Sequence, residues 1–156
     1  MRAFLEHDHN QCCEAAIEAA EAKCEATGLR LTDIRRRVLE ILLENHRAIG
    51  AYEILARLQE EGYGSHPPVA YRALDFLVAN GFAHKLEKAN AFIACSAPEQ
   101  GHNPVFFICR SCGSVAEAHS KLITNALAKT VEEAKFRVEK AAVELEGLCS
   151  ACEMDA

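Results

Sequence analysis

The chain has 156 residues, of which 17 are basic and 23 acidic, so its net charge is −6 before histidine is counted. Hydrophobic residues make up 50% and charged residues 26%, which is ordinary for a globular chain and excludes disorder over most of its length. No uncharged apolar run reaches the roughly 18 residues of a membrane span, and Glu6, His7, Asp8 and His9 stand where a signal peptide would be apolar. We therefore expect a cytoplasmic protein with no membrane partner.

The negative charge is unevenly distributed along the chain. Residues 1–27 contain 2 basic and 6 acidic groups, whereas residues 28–109 contain 9 of each. Within the second segment, residues 29–37 carry four arginines against the single Asp33. The acidic total argues against coating of nucleic acid through bulk charge, but this local basic stretch is compatible with a specific nucleic-acid surface.

Four helices are predicted in the first half of the chain, each bounded by residues that start or stop helices. Ala and Glu dominate the first helix, Thr32 is the N-cap of the second, and proline opens the fourth. The predicted helices cover residues 12–27, residues from Thr32 to about Asn45, residues 51–61, and residues from Pro67 or Pro68 to Asn80.

Two short strands follow the fourth helix. They are predicted over residues 82–87 and 91–95, joined by the three-residue hairpin loop Lys88-Ala89-Asn90. Three helices followed by a two-stranded wing are the parts of a winged helix-turn-helix, in which the last helix before the wing enters the major groove of DNA.

A polar segment with Pro98 and Gly101, residues 96–103, is predicted to be a hinge between two domains. Beyond it we predict strands over residues 105–109 and 114–118, a helix over 121–131 and a long strand over 136–145. The predicted fold class is α+β, with a DNA-binding domain over residues 1–95 and a small α/β dimerisation and metal-binding domain over 104–156. A unit of about fifty residues needs a metal, a partner subunit or both for stability.

Two C-x-x-C pairs in the second domain predict a structural zinc site. Cys109 and Cys112 form the first pair, and Cys149 and Cys152 follow 36 residues later. Four thiolates at about 2.3 Å make a closed tetrahedral zinc site that contributes folding free energy. The alternative is a redox-active pair of the thioredoxin kind, which needs a C-x-x-C that opens a helix within a βαβ unit.

A second metal site is predicted from four scattered donors. His84 lies on the first wing strand, Cys95 ends the second, His102 lies in the hinge and Glu117 follows Cys112 by five residues. Each has an ordinary explanation alone, but together they offer a donor set that suits tetrahedral zinc and would link the two domains. His119 is a further candidate ligand, and the N-terminal segment with His7, His9, Cys12 and Cys13 is a weaker candidate for another site.

Three stretches of the chain resemble the ferric uptake regulator family of bacterial metal-dependent repressors. They are Gly28-Leu-Arg-Leu-Thr32 with the arginine-rich helix after it, the segment from His66 to Leu77, and the two C-x-x-C pairs with their flanks. A single histidine precedes the strand that leads to Cys109, and Phe92-Ile-Ala-Cys95 matches the zinc uptake regulator branch of this family. The resemblance covers about residues 12–152.

The resemblance implies a homodimeric repressor with one structural and one regulatory zinc per subunit. In such a protein, each winged helix reads one half of an inverted-repeat operator, and one or two dimers occupy the operator. Arg72 is our candidate for a bidentate contact to guanine, and Tyr52 matches a family position that reaches the bases. The candidates for phosphate contacts are Tyr71, Arg35, Arg36 and Arg37.

Other interpretations of the sequence remain open. Arg72 could instead pair with Asp75, and both tyrosines could be core residues. At the level of function, the alternatives are an iron, manganese or peroxide sensor of the same family, a thiol oxidoreductase, and a zinc-stapled interaction domain. The sequence contains no catalytic triad, phosphate loop or paired-carboxylate motif, so we do not predict an enzyme.

Overall fold

The computed structural model describes residues 9–64, 66–98 and 103–154. The chain divides into two compact units, one of which comprises residues 6–101 while the other includes residues 102–156. Within the described residues, no helix combines the length and apolar character that a membrane crossing requires.

The first unit contains four helices and a β-hairpin. The helices are α1 (His9–Thr27), α2 (Asp33–Leu43), α3 (Ala51–Glu60) and α4 (Pro67–Ala79), and the strands are β1 (Ala83–Leu86) and β2 (Ala91–Ala94). Thr32 caps α2 as predicted, because its side chain accepts a hydrogen bond from the backbone N–H of Arg35. Pro67 opens α4, where its fixed φ suits the first turn. Helix α1 starts three residues earlier than predicted.

The core of this unit lies between the four helices and the hairpin. Apolar residues three to four apart on α2 and α4 face inward, so that Ile41, Leu42, Leu74 and Leu77 are almost fully buried. Cys24 of α1 belongs to the same core, so it is a packing residue. The helices thereby hold α4 in a fixed position beside the hairpin.

The hairpin differs from its prediction in the length of its loop. Leu86 pairs with Ala91, so the loop has the four residues 87–90 rather than three. Asn90 adopts φ +46, a left-handed conformation that asparagine tolerates better than most residues. A bridge between Ile49 and Phe92, which the sequence did not predict, fastens the segment before α3 to β2.

The second unit contains a three-stranded sheet and two helices. Its elements are β3 (Val105–Cys109), β4 (Val115–Ala118), α5 (Lys121–Glu133), β5 (Val143–Gly147) and α6 (Ser150–Met154). The strand order is β4-β3-β5, with β4 antiparallel and β5 parallel to β3. Strands β3 and β5 are parallel, and they end side by side at Cys109 and Gly147. The two C-x-x-C pairs therefore lie at the carboxyl ends of these neighbouring strands.

The predicted long strand over residues 136–145 is wrong, since only residues 143–147 form a strand. The alternation of apolar residues suggested a strand, but Lys135 has φ +50 and the backbone N–H of Phe136 bonds back to α5. Val143 pairs with Val105, the first residue of β3, so the preceding residues have no β3 residue beside them. The mixed helix-and-sheet class is nevertheless confirmed.

Candidate metal centres and DNA-binding surface

The four predicted zinc ligands converge at the carboxyl ends of β3 and β5. The sulfur atoms of Cys109, Cys112, Cys149 and Cys152 all lie within 4.8 Å of one another. The Sγ atoms of Cys112 and Cys149 are 3.8 Å apart, which equals the separation of about 3.8 Å that two thiolates have at 2.3 Å from a tetrahedral zinc ion. The donor set and its spacing therefore fit a closed structural zinc site.

Backbone groups stabilise the thiolate of Cys109 in this cluster. The N–H of Cys149 donates to Sγ of Cys109 at 3.4 Å, and Gly113, with φ +73, turns the chain after the first pair. Backbone hydrogen bonds from Cys112 and Cys149 lower the pKa of Cys109 to about 6. A hydrogen bond from Ser111 lowers the pKa of Cys152, but those shared with Cys149 and Cys112 outweigh it and raise that pKa to about 12.

Helix α6 was not predicted, and it bears on the redox alternative. The second C-x-x-C pair does open a helix, as a thioredoxin-like motif would, but α6 has only five residues. The cysteines of the two pairs also lie within contact distance of each other rather than forming two separate sites. This arrangement favours metal binding over dithiol chemistry.

Two of the predicted regulatory ligands come together in the first unit. His84 lies on β1 opposite Ile93, and Cys95 follows the last residue of β2. A ring nitrogen of His84 and Sγ of Cys95 lie within 4.8 Å of each other. Cys95 is buried, and its backbone N–H donates to the carbonyl of Phe82 at 2.9 Å. A soft sulfur and an imidazole nitrogen at this distance are donors that zinc prefers.

The other predicted donors belong to the second unit. Glu117 lies on β4 opposite Phe106. It is 5% exposed, and among the described residues it is the one charged residue that is buried. A carboxylate is buried at high cost unless it is compensated. Nε2 of His119 lies 4.0 Å from Oε1 of Glu117. The two side chains are therefore close enough for His119 to be a neighbour of a metal ion held by Glu117. His102 lies outside the described residues.

The N-terminal candidates are only partly described. His7 and Asp8 lie outside the described residues, as does the side chain of His9. Cys12 and Cys13 are half-buried on α1, and Sγ of Cys13 bonds to the carbonyl of Leu43 at 3.3 Å. Burial raises the pKa of the Cys13 thiol, which disfavours the thiolate that a metal would need.

The two tyrosines predicted to contact DNA, and Arg72, are exposed. Tyr52, at the start of α3, is 76% exposed and Tyr71, on α4, is 41% exposed, which excludes core packing for both. Arg72 is exposed on α4, and among the described residues it forms no salt bridge with Asp75. These three side chains are accessible to an external partner, and their roles on DNA stay predictions.

The three arginines of α2 are more restricted than the sequence suggested. Arg35 stacks on the ring of Phe76, with its guanidinium carbon 3.7 Å from the ring centroid. Arg36 bonds to Glu21 of α1 and to Glu40. Arg37 bonds to Glu61 at 2.6 Å and also reaches Glu40 and Glu44. Sequence reasoning missed these carboxylate partners, although only Glu21 and Glu61 are distant in the chain from the arginines that they bind.

Comparisons with known proteins agree with this architecture. The model of the ferric uptake regulator family matches residues 26–146. The zinc uptake regulation protein of Escherichia coli (strain K12) is 36% identical over 137 residues, which span 87% of this chain and 80% of that protein.

Two solved structures extend the similarity to the fold. A zinc uptake regulator complexed with zinc and DNA has a TM-score of 0.87 at 33% identity, covering 92% of this chain and 96% of its own. Holo XcZur has a TM-score of 0.82 at 39% identity, covering 88% and 96% respectively.

The chain therefore belongs to the ferric uptake regulator family, which confirms the resemblance of its motifs. The relatives described above are zinc uptake regulators.

Proposed function

We propose that this protein is a zinc-responsive DNA-binding repressor of zinc uptake genes. The observation that carries the proposal is its similarity, over 92% of the chain, to a zinc uptake regulator solved with zinc and DNA. The clustered Cys109, Cys112, Cys149 and Cys152 support one structural zinc in each subunit. The proposal includes that the protein is a transcription regulator and not an enzyme, which its family and its structural neighbours support. It also includes that the protein works in the cytoplasm, where its operator would be.

The proposed regulatory site consists of His84, Cys95, His102 and Glu117, with His119 as a further candidate ligand. The proximity of His84 to Cys95 and the burial of the Glu117 carboxylate support this set. One bound zinc ion would join donors from the wing, the hinge and the second domain and so select one arrangement of the protein. His84 and Cys95 contribute the half of the site that the first unit holds in place.

The proposed DNA-binding form is a homodimer on an inverted-repeat operator, with one or two dimers at each operator. In this form α4 is the recognition helix, Arg72 contacts guanine, and Tyr52 and Tyr71 approach bases and phosphates. The same proposal includes a DNA-binding domain over residues 1–95, a hinge over 96–103 and a dimerisation and metal-binding domain over 104–156. Since two recognition helices must match the half-site spacing, any change in their separation changes operator affinity.

The alternative within the family is a sensor of iron, manganese or peroxide. The thiol at Cys95 favours zinc, because soft sulfur ligands select zinc over harder divalent ions. A thiol oxidoreductase is the less favoured alternative, since thiolates that hold zinc react slowly.

The test measures zinc content and metal-dependent operator binding for the wild type and for Cys95→Ser. We expect two zinc ions per subunit in the wild type and one in the variant. The variant should bind operator as the wild type does without zinc, whatever the zinc concentration. The proposal is wrong if Cys95→Ser keeps a wild-type zinc response, or if iron or manganese drives operator binding and zinc does not.

A further inference from the structure

Lys23 on α1 connects three parts of the chain that are far apart in sequence. Its Nζ donates to the backbone carbonyl of Asn80 at 2.8 Å and to that of Pro98 at 2.9 Å. The same ammonium group lies 5.2 Å from the centroid of the Phe82 ring. A lysine ammonium has three protons to donate, and here two backbone acceptors and one aromatic face surround it.

The contact with Asn80 fixes the end of α4. Asn80 is the C-cap of this helix, where carbonyl groups lack partners within the helix and carry partial negative charge. Gly81 follows with φ +74, and a Cβ atom built there would lie 3.6 Å from Nζ of Lys23. The chain thus turns closely around the ammonium group as it passes from α4 into β1.

The contact with Pro98 fixes the segment that leaves the wing. This segment starts at Cys95, whose backbone N–H bonds to the carbonyl of Phe82 at 2.9 Å. One hydrogen bond therefore holds the start of this segment, from Cys95 to Phe82, and another holds its end, from Lys23 to Pro98. Both hydrogen bonds lie at the turn between α4 and β1, so they link residues 95–98 to the end of α4.

We propose that Lys23 is a positioning residue for the zinc response. It holds residues 95–98, which begin with the proposed zinc ligand Cys95, beside the C-terminal end of the recognition helix α4. The inference rests on the proposed function. Among the described residues, the recorded contacts of Lys23 are with Asn80, Phe82 and Pro98, and not with His84, Cys95 or the exposed DNA-binding side chains. Its effect is therefore on the coupling between the zinc site and α4.

Lys23→Met is the informative variant, since methionine keeps the apolar stem but has no donor for either carbonyl. Lys129→Met, at an exposed position on α5, is the matched control, and Lys23→Arg restores a charged donor. Hydrogen exchange of the free protein is measured first. We expect faster exchange at Phe82 and at residues 95–97 in Lys23→Met, unchanged exchange in α2 and α3, and wild-type behaviour in the control.

Zinc titration of operator binding is the second measurement. Lys23→Met should shift the zinc concentration for half-maximal binding upward, reach the wild-type operator affinity at saturating zinc, and be partly rescued by Lys23→Arg. Unchanged exchange, or faster exchange with an unchanged zinc midpoint, overturns the proposal and leaves Lys23 a structural residue. A wild-type protein whose operator binding ignores zinc would instead overturn the proposed function, and the proposal with it.

Discussion

Backbone hydrogen bonds stabilise the thiolate of Cys109 in the folded unit and lower its pKa to about 6. Hydrogen bonds from Ser114 also lower the pKa of Cys112. We therefore expect the zinc affinity of the folded cluster to fall more steeply with decreasing pH below about 6, where protons begin to compete with zinc for Cys109. Competition with a chelator over a series of pH values measures the affinity, and a pH dependence that does not steepen in acid would contradict the prediction.

Cys112 is the most exposed of the four thiols, and its removal tests whether the cluster is structural. Cys112→Ser should lose one zinc per subunit and the fold of residues 103–154, since a closed zinc site supplies folding free energy outright. Metal analysis and two-dimensional NMR of the whole chain measure both effects. Cys12→Ser, a half-buried thiol outside the cluster, is the control, and retention of both zinc ions and a native spectrum in Cys112→Ser would contradict the prediction.

Arg72 offers a separate test of base recognition, because lysine keeps its charge but not its two parallel donors. Arg72→Lys should lose about 1 to 3 kcal/mol of operator affinity while binding to unrelated DNA stays as it was. Fluorescence anisotropy with an operator and a scrambled duplex at one salt concentration separates the two. Equal losses on both duplexes would show that Arg72 contacts phosphate instead.

At the scale of elements, an ion-pair network joins α2 to the end of α3. Arg37 binds Glu61 through two nitrogens at 2.6 and 2.7 Å, and Arg57 binds Glu44 at 2.6 Å. The hydrogen bond from Arg37 lowers the pKa of Glu61 below its ordinary value of 4.5, and the same hydrogen bond raises the pKa of Arg37. This network orients α3, and hence Tyr52, relative to α2.

The pKa of Glu61 gives the network a definite pH dependence. Because this pKa is lowered on folding, the stabilisation is complete above 4.5 and is lost as the pH falls below that value. Glu61→Gln should therefore have a slightly lower melting temperature than the wild type at pH 7, and the difference should shrink as the pH falls below 4.5. Thermal unfolding over a series of pH values checks this, with the exposed Glu60→Gln as control. A difference that persists in acid would mean that glutamine perturbs packing.

Elements marked by capping residues, opening prolines or short apolar runs were predictable from the sequence. Elements whose bounds depend on pairing with a neighbouring strand were not. Strand β3 was predicted at its observed bounds, and α2 and α4 start where their capping threonine and opening proline indicate. Residues 136–142 alternate like a strand but lack a β3 residue to pair with, and sequence periodicity does not reveal this. Helix α6 is too short to show a periodic pattern.

The same distinction applies to the candidate sites. Paired C-x-x-C motifs fix local ligand spacing, so the cysteine cluster was predictable, and it is found with all four sulfurs together. Lys23 gave no signal, because its acceptors are backbone carbonyls 57 and 75 residues away that no side-chain pattern encodes. Glu21 and Glu61, the distant partners of Arg36 and Arg37, were unpredictable for the same reason of long-range packing, whereas Glu40 is a local partner on the same helix.

At the scale of the whole molecule, the proposed repressor must obey thermodynamic linkage between its two ligands. If zinc raises operator affinity by some factor, operator DNA must raise zinc affinity at the regulatory site by the same factor. Zinc competition with a chelator, with and without saturating operator, and operator binding, with and without zinc, should therefore give equal ratios. Cys95→Ser should give no coupling in either direction, while the structural zinc stays bound throughout. Unequal ratios would mean that a further equilibrium, such as assembly of two dimers on one operator, contributes to the response.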